Sequence, residues 1–285
     1  MAFRALALLI LCGVVLYALP VLAESRQTAG IRMLCLNVGK GDAILLSLEG
    51  RHYLVDTGYK RTFKQLQAAL AFEGIDRLDA VFITHPHKDH VGGLEKLLLS
   101  GIQVDAVYSP ALTQAGNGAG HPAVSAAARA GKKVTFLRAG ELIPVSSVAY
   151  FDILGPRSLN TDNENNNSLV MTLVSPDGVV LLTGDMKAEE ELSLLRADVL
   201  TACDVLKVPF HGDGSASTTS FLKAVRPRVS VISTSTREEK DTPDRDVLVR
   251  LASVGSEIYV TQDAQDAMLV TLIDKKPRAE YLSFD

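Results

Sequence analysis

The stretch AVFITHPHKDHVGG, residues 80–93, crowds three histidines and an aspartate into six positions directly after an apolar run. Polar and ionisable side chains are costly to gather at the end of a buried strand unless something binds them. Written out, the cluster is H-x-H-x-D-H, formed by His85, His87, Asp89 and His90. If the chain stays extended, His85 and His87 project to one side, and the following turn lets Asp89 and His90 face a second point. That spacing can present two ligands to each of two adjacent cations. Neutral imidazole nitrogens and a carboxylate oxygen suit Zn²⁺, and also Mn²⁺ or Fe.

One such motif does not close two coordination spheres. Two further residues stand where apolar runs give way to loops: Asp185 at the end of VVLLTGD and His211 in LKVPFHGDG. Loop positions carried on a rigid scaffold are where chemistry is displayed. Singly, Asp185 reads as a turn residue and His211 as a loop histidine; it is the combination in this order that singles them out. His52 and His121 fall in turn contexts and read as ordinary.

Around these motifs the apolar pattern alternates between strand and helix periods. Strands are expected at IRMLCLNV (31–38), AILLSLE and YLVDTG (53–58), then a helix in KRTFKQLQAALAFEG stopped by Gly74. RLDAVFIT is the buried strand that delivers the histidine cluster, and GGLEKLLLS a helix after it. VDAVYSP, KKVTFLR and SVAYFDILGP read as strands, with a helix at HPAVSAAARAG. SLVMTLVSPDGVVLLTGD reads as a hairpin turning at Ser175-Pro176-Asp177-Gly178. The helix MKAEEELSLLRA carries a Glu run that reads as a solvated face. From CDVLKVPFHG onward, helix and strand are expected to alternate to the end. Strand clusters interleaved with helices in two similar halves imply two packed sheets with helices outside, in one domain.

The chain has 285 residues and a formal net charge of −4, so nothing in its overall charge advertises nucleic-acid binding; a polyanion would need a local patch. The N-terminus is a separate object. MAFR is a short positive region, ALALLILCGVVLYALPVLA an apolar core, and Val21 and Ala23 the small residues of a cleavage site. Residues 1–23 therefore read as a secretory signal peptide, with an uncleaved membrane anchor as the alternative, and residues 24–285 as the exported domain. Pro20 and the small residues after it favour cleavage, giving a secreted or periplasmic protein. Three cysteines are too few for a disulfide framework. Cys35 and Cys203 look like packed thiols, and the sequence leaves open whether they meet.

The order LVDTG, THPHKDHVGG, NNNSLV, LLTGD and VPFHG resembles the metallo-β-lactamase fold hydrolases. Within them it is similar to the C-terminal hydrolase domain of ComEC-type competence proteins, through LNVGKGDAILL, RLDAVFITHPHKDHVGGL, NNNSLVMTLVSPDGVVLLTGDM, DVLKVPFHGDGSAS and FLKAVRPRVSVIST. The resemblance runs from about residue 31 to the C-terminus. It implies an α/β, four-layer αββα sandwich of two mixed sheets with helices outside. It also implies that His85 and His87 hold a first metal, that Asp89, His90 and His211 hold a second, and that Asp185 bridges both. Asp56 in LVDTG would orient the histidines from behind.

The sequence departs from the family pattern at several points. Many members have a further histidine where ENNNSLV stands, so Asn166, Asn167, Ser168 or water must serve there. ComEC-type proteins usually have an aspartate at the position of His87, and they tend to show a second histidine at that of Phe210 and another near KDTPDRDVL.

The chemistry implied is hydrolysis by water that one or two Zn²⁺ or Mn²⁺ ions have acidified, with Asp89 or Asp185 as candidate proton acceptor and no nucleotide cofactor. Lys40, Lys88 and Lys207 are candidates to line the mouth and to favour an anionic substrate such as DNA. A phosphodiesterase or nuclease related to competence is the leading reading, with a membrane channel as partner. The alternatives are a hydrolase of small esters, lactones or β-lactams on the same metals, and a non-catalytic binding module.

Overall fold

The computed structural model describes residues 30–285. The expected signal peptide lies outside the described residues, and no helix among them is long and apolar enough to cross a membrane.

Alternating apolar residues start the first sheet. β1 (Ile31–Leu36), β2 (Ile44–Leu48) and β3 (Arg51–Val55) form an antiparallel meander. α1 (Phe63–Glu73) buries Phe63, Leu66, Ala69 and Leu70 and ends at Gly74, whose φ of 67° is the left-handed cap that glycine permits. The chain then enters β4 (Arg77–Phe82), parallel to β3. Two short helices follow, α2 (Lys88–Val91) and α3 (Leu94–Leu98). β5 (Gln103–Pro110), α4 (Pro122–Arg129) and β6 (Thr135–Leu137) extend the parallel part.

The second sheet opens antiparallel with β7 (Leu142–Pro144), β8 (Tyr150–Gly155), β9 (Val170–Ser175) and β10 (Gly178–Leu182). Ser175 pairs with Gly178, so the hairpin turns at Pro176-Asp177 as expected. It continues in parallel through α5 (Ala188–Arg196), β11 (Val205–Lys207), α6 (Thr219–Val225), β12 (Val229–Ile232), α7 (Arg245–Ser253) and β13 (Glu257–Val260). The alternation does not run to the end. The chain returns to the first sheet as a hairpin, β14 (Ala267–Ile273) and β15 (Lys276–Leu282), with β14 antiparallel to β1. The strand orders are β15-β14-β1-β2-β3-β4-β5-β6 and β13-β12-β11-β10-β9-β8-β7.

Side-chain alternation along each strand makes the layers. Met33, Cys35, Leu46 and Phe82 face Phe151, Ile153, Met171 and Val205 between the sheets. Leu34, Leu36, Leu54 and Val81 face the helices of the first sheet, and Leu181, Leu206 and Ile232 those of the second. Phe82 and Phe151 meet across the middle with ring centroids 4.8 Å apart. A fully buried Phe contributes about 1.5–3 kcal/mol through its area. The result is the four-layer αββα sandwich. Cys35 lies between the sheets and Cys203 under the helices of the second, and both are free thiols.

The Glu run at the start of α5 is not a solvated face. Glu190 is 3% exposed and Glu191 fully buried, because the chain has loops there with unpaired N–H groups to satisfy. Glu191 accepts from the N–H of Thr218 at 2.8 Å and from that of Ser217, Glu190 from that of Arg157 at 3.2 Å, and exposed Glu189 from the Asn160 side chain at 2.6 Å. The helix thereby fastens the loops that flank the ends of β8, β9 and β11.

Burial pushes the Glu190 carboxyl up from 4.5 to about 7. Between those pH values the folded protein holds a proton that the unfolded chain has lost, so stability falls as pH rises through this window and is flat above it. Glu190→Gln keeps an acceptor for Arg157 and cannot ionise. Urea unfolding at pH values below and above the window should show a loss of stability in the wild type that this variant lacks; an identical loss in both would refute the assignment.

Candidate metal centre

The ends of β3, β4, β10, β11 and β12 bring their following residues to one rim of the sandwich, as the carboxyl ends of strands commonly do in open α/β sheets. His90 on α2, Asp185 after β10 and His211 after β11 are buried there, while Asp89 keeps its side chain 18% exposed. One ligand atom from each of these four residues lies within 4.8 Å of every other. His90 Nε2 is 3.2 Å from Asp185 Oδ2 and 3.8 Å from Asp89 Oδ2; His211 Nε2 is 3.2 Å and 3.7 Å from the same two oxygens. Yet His90 Nε2, His211 Nε2 and Asp185 Oδ1 are buried without a hydrogen-bond partner. Leaving a buried polar atom unsatisfied costs about 1–3 kcal/mol. Two unpartnered imidazole nitrogens facing two carboxylates form a donor set that fits a divalent transition metal.

Groups behind the cluster fix which atoms face inward. Asp56 Oδ2 lies 2.7 Å from His90 Nδ1, and the same carboxylate accepts from Thr84 N–H at 2.8 Å and Thr84 Oγ1–H at 2.6 Å. His211 Nδ1 lies 2.8 Å from the Ser233 carbonyl, to which it donates. With both Nδ1 atoms so engaged, each Nε2 is turned to the centre. Such contacts set tautomer, ring orientation and ligand basicity. Burial works against a charge on His90, but Asp185 and Asp56 hold its imidazole well above its usual range. Burial likewise opposes ionisation of Asp185, but His211 and His90 hold its carboxyl well below the usual carboxylate range.

His85 and His87 are arranged differently. His85 is buried, with Nε2 3.7 Å from Asp185 Oδ2, so Asp185 is near to His85, His90 and His211 together. That Nε2 is also 3.0 Å from Nδ1 of His87, which is exposed. Burial, then the neighbouring His90, pushes the His85 imidazole well below its usual range. The second set of ligands is thus preassembled around vacant bonding atoms, whereas His85 and His87 spend theirs on each other.

The Asn-Ser segment divides in two. Ser168 Oγ accepts from Asp185 N–H at 3.0 Å and lies 3.4 Å from His85 Nδ1. Asn166 and Asn167 do not support the metal residues, because loop backbone and Glu side chains claim their amides. Asn166 bonds Lys187 N–H and Glu189, and Asn167 bonds Asn160 and Glu164. Gly184 makes the close fit possible: at φ 51°, a Cβ there would stand 2.9 Å from Cβ of both Ser168 and Thr84.

The three lysines also separate. Lys207 does not line the mouth: it is 1% exposed and its Nζ is 2.8 Å from Asp42 Oδ2, also 1% exposed. Burial would lower its pKa, but Asp42 and Asp185 outweigh that and raise it, so it stays a cation under the site. Lys88 is exposed on α2, and Lys40 is half-buried, with Nζ 3.1 Å from Glu239. His52 and His121 are structural: His52 bonds Ser47, and His121 caps α4 at Ala123 N–H. The sequence reading passed over Asp42, Thr84, Lys187 and the aromatic face of Phe210. Of these, only Asp42 had a local signal, the tight G-K-G-D turn.

The family model of the metallo-beta-lactamase superfamily matches residues 36–236. The chain belongs to the metallo-beta-lactamase superfamily. It is a metal-dependent hydrolase with the His/Asp metal-binding cluster in place. Among curated proteins it is 25% identical over 232 residues to ComE operon protein 3 of Bacillus subtilis, covering 75% of this chain and 29% of that protein. It is 25% identical over 263 residues to competence protein ComA of Neisseria gonorrhoeae, covering 92% and 35%. The chain therefore spans about a third of those relatives. Among solved structures, the metallo-beta-lactamase fold protein YhfI from Bacillus subtilis has a TM-score of 0.54 at 12% identity, covering 84% of this chain and 98% of that one. CmlA, a diiron beta-hydroxylase from Streptomyces venezuelae, has a TM-score of 0.58 at 16% identity, covering 90% and 55%. At these identities the solved structures speak to fold alone.

Asp56→Asn keeps the shape but sets an amide NH₂ against groups that already donate. Competitive titration with a chromogenic chelator should show divalent metal bound about 10–100-fold more weakly than by the wild type. Unchanged affinity would mean that Asp56 does not orient His90.

Proposed function

We propose that the protein is an exported, zinc-dependent phosphodiesterase that cleaves DNA. The observation that carries this reading is a pair of ammonium groups at the rim of the metal centre. Lys40, between β1 and β2, and Lys187, ahead of α5, place Nζ 5.7 Å and 4.8 Å from the ring centroid of Phe210, the residue before His211. With Lys88 exposed on α2, cations from both halves of the sandwich border the cluster. Such a border draws a substrate with negative charge on both sides of the reacting atom, as a phosphodiester strand has, and gives nothing to a neutral ester or lactam. The names of the relatives, a competence protein and a ComE operon product, fit a DNA substrate. Since they are about three times as long, a role in DNA uptake would use a membrane channel as partner. The apolar segment at residues 5–23 supports export.

Asp89, His90, Asp185 and His211 would hold a divalent cation, which would supply a Lewis acid and lower the pKa of water from 15.7 toward about 7. The chain's residues do the rest. Asp56 and the Ser233 carbonyl hold the two Nδ1 protons, so that both Nε2 lone pairs stay directed inward. Asp89, the one of the four with a partly exposed side chain, takes the proton of the attacking water. Lys40 and Lys187 bind phosphate oxygens and keep the phosphorus in line for displacement of the leaving alcohol. Lys207, beneath, offsets part of the charge of Asp42 and Asp185.

The test is hydrolysis of bis(p-nitrophenyl) phosphate by protein stripped of metal and resupplied with zinc or manganese. Turnover that needs the metal and disappears in Asp185→Asn is expected. Turnover of p-nitrophenyl acetate or a lactone without phosphodiester cleavage would replace this reading with the small-ester one; metal binding with neither would leave a binding module.

A further inference from the structure

Metal chemistry does not account for Phe210. Its backbone stands at φ 45°, ψ 46° and that of His211 at φ 55°, ψ 19°, two successive non-glycine residues in the left-handed region. Backbone of this kind is held against a cost and gathers at functional sites. For His211 the reason is visible, since its Nε2 must reach Asp185. Phe210 makes two backbone bonds, its N–H donating to the Gly184 carbonyl at 3.3 Å and its carbonyl accepting from Asp213 N–H at 2.9 Å, and leaves a large apolar ring partly exposed at the rim. The ring centroid is 6.4 Å from that of His211, and Lys187 and Lys40 both lie within cation–π range.

One ligand type offers an aromatic plane, anions on either side of it, and a hydrolysable phosphorus one step away. It is a nucleic-acid strand with unpaired bases. We infer that Phe210 is the platform on which a base next to the scissile phosphate stacks, with Lys40 and Lys187 taking the phosphates that flank that base. This rests on the phosphodiesterase reading and adds to it a preference for single strands, because duplex pairing and stacking cover the faces of each base. Lys40 is not lost to its present partner. Its contact with Glu239 is to a carboxylate with a side chain 44% exposed, and exposed pairs of this kind hold weakly enough for a phosphate to replace them.

The test is fluorescence anisotropy with metal-loaded protein and two phosphorothioate strands of equal length, one of thymidines and one abasic. They carry the same charge and differ only in their bases. The wild type should bind the thymidine strand about tenfold more tightly, the worth of one stacked base. Phe210→Ala, and Phe210→Leu as the variant that keeps bulk without the aromatic face, should erase that preference, and Phe210→Tyr should restore it. Lys40→Ala and Lys187→Ala should weaken both strands alike and flatten the salt dependence. A wild type that binds both strands equally, or Ala and Leu variants that keep the preference, would overturn the subsite while leaving the phosphodiesterase reading intact. A wild type that binds neither strand would overturn both.

Discussion

Three buried atoms without a partner, His90 Nε2, His211 Nε2 and Asp185 Oδ1, set the terms for the rest of the molecule. Each is a polar group that the fold has removed from water and left unsatisfied, at a cost of about 1–3 kcal/mol apiece against a total stability of about 5–15 kcal/mol. Proteins tolerate such a concentration of unmet polar groups where a ligand answers them. A divalent cation held by this cluster would answer both imidazole nitrogens at once, and Asp89 at the partly exposed edge leaves a way in.

Much of the surrounding structure reads as the means of holding those atoms still. Thr84 is the meeting point. Its N–H and hydroxyl go to Asp56 at the end of β3, and its carbonyl accepts from Leu169 N–H at the start of β9, at 2.8 Å. One residue thus ties the first sheet to the second directly under the histidines. Gly184, with no room for a Cβ between Thr84 and Ser168, brings Asp185 into the same packing. The Glu residues of α5 then pin the loops outside this knot. The Lys207–Asp42 pair works from below, as a buried cation among carboxylates. Breaking such a pair from one side leaves a lone buried charge and costs about 3–5 kcal/mol.

What could be read from the sequence was what is local. H-x-H-x-D-H announces ligands because its donors are neighbours in the chain, and Asp185 and His211 follow because each ends an apolar strand. Two packed sheets were legible from the periods of the strands and of α1, α4 and α6. Features that depend on distant partners were not. Lys207 looks like a lysine of the mouth until the fold brings Asp42 to it across the molecule. Glu190 and Glu191 look like an exposed acidic face until the loops at 157 and 217–218 come to rest on them. The strand Ala267–Ile273 pairs with β1 at the other end of the chain, a contact that no local period signals. Asn166 and Asn167 were read as metal support by their position in the family pattern, whereas their amides organise their own loop. Phe210 and Lys187 acquire meaning only from being together.

The account's central claim is that this chain holds its metal chiefly through the preassembled cluster of Asp89, His90, Asp185 and His211. Metal-stripped protein titrated with Zn²⁺ in a calorimeter tests it most directly, comparing the wild type with His211→Ala and His87→Ala. The account predicts a tight binding event that disappears in His211→Ala and persists in His87→Ala. Loss of the tight event in His87→Ala, or its survival in His211→Ala, would contradict it.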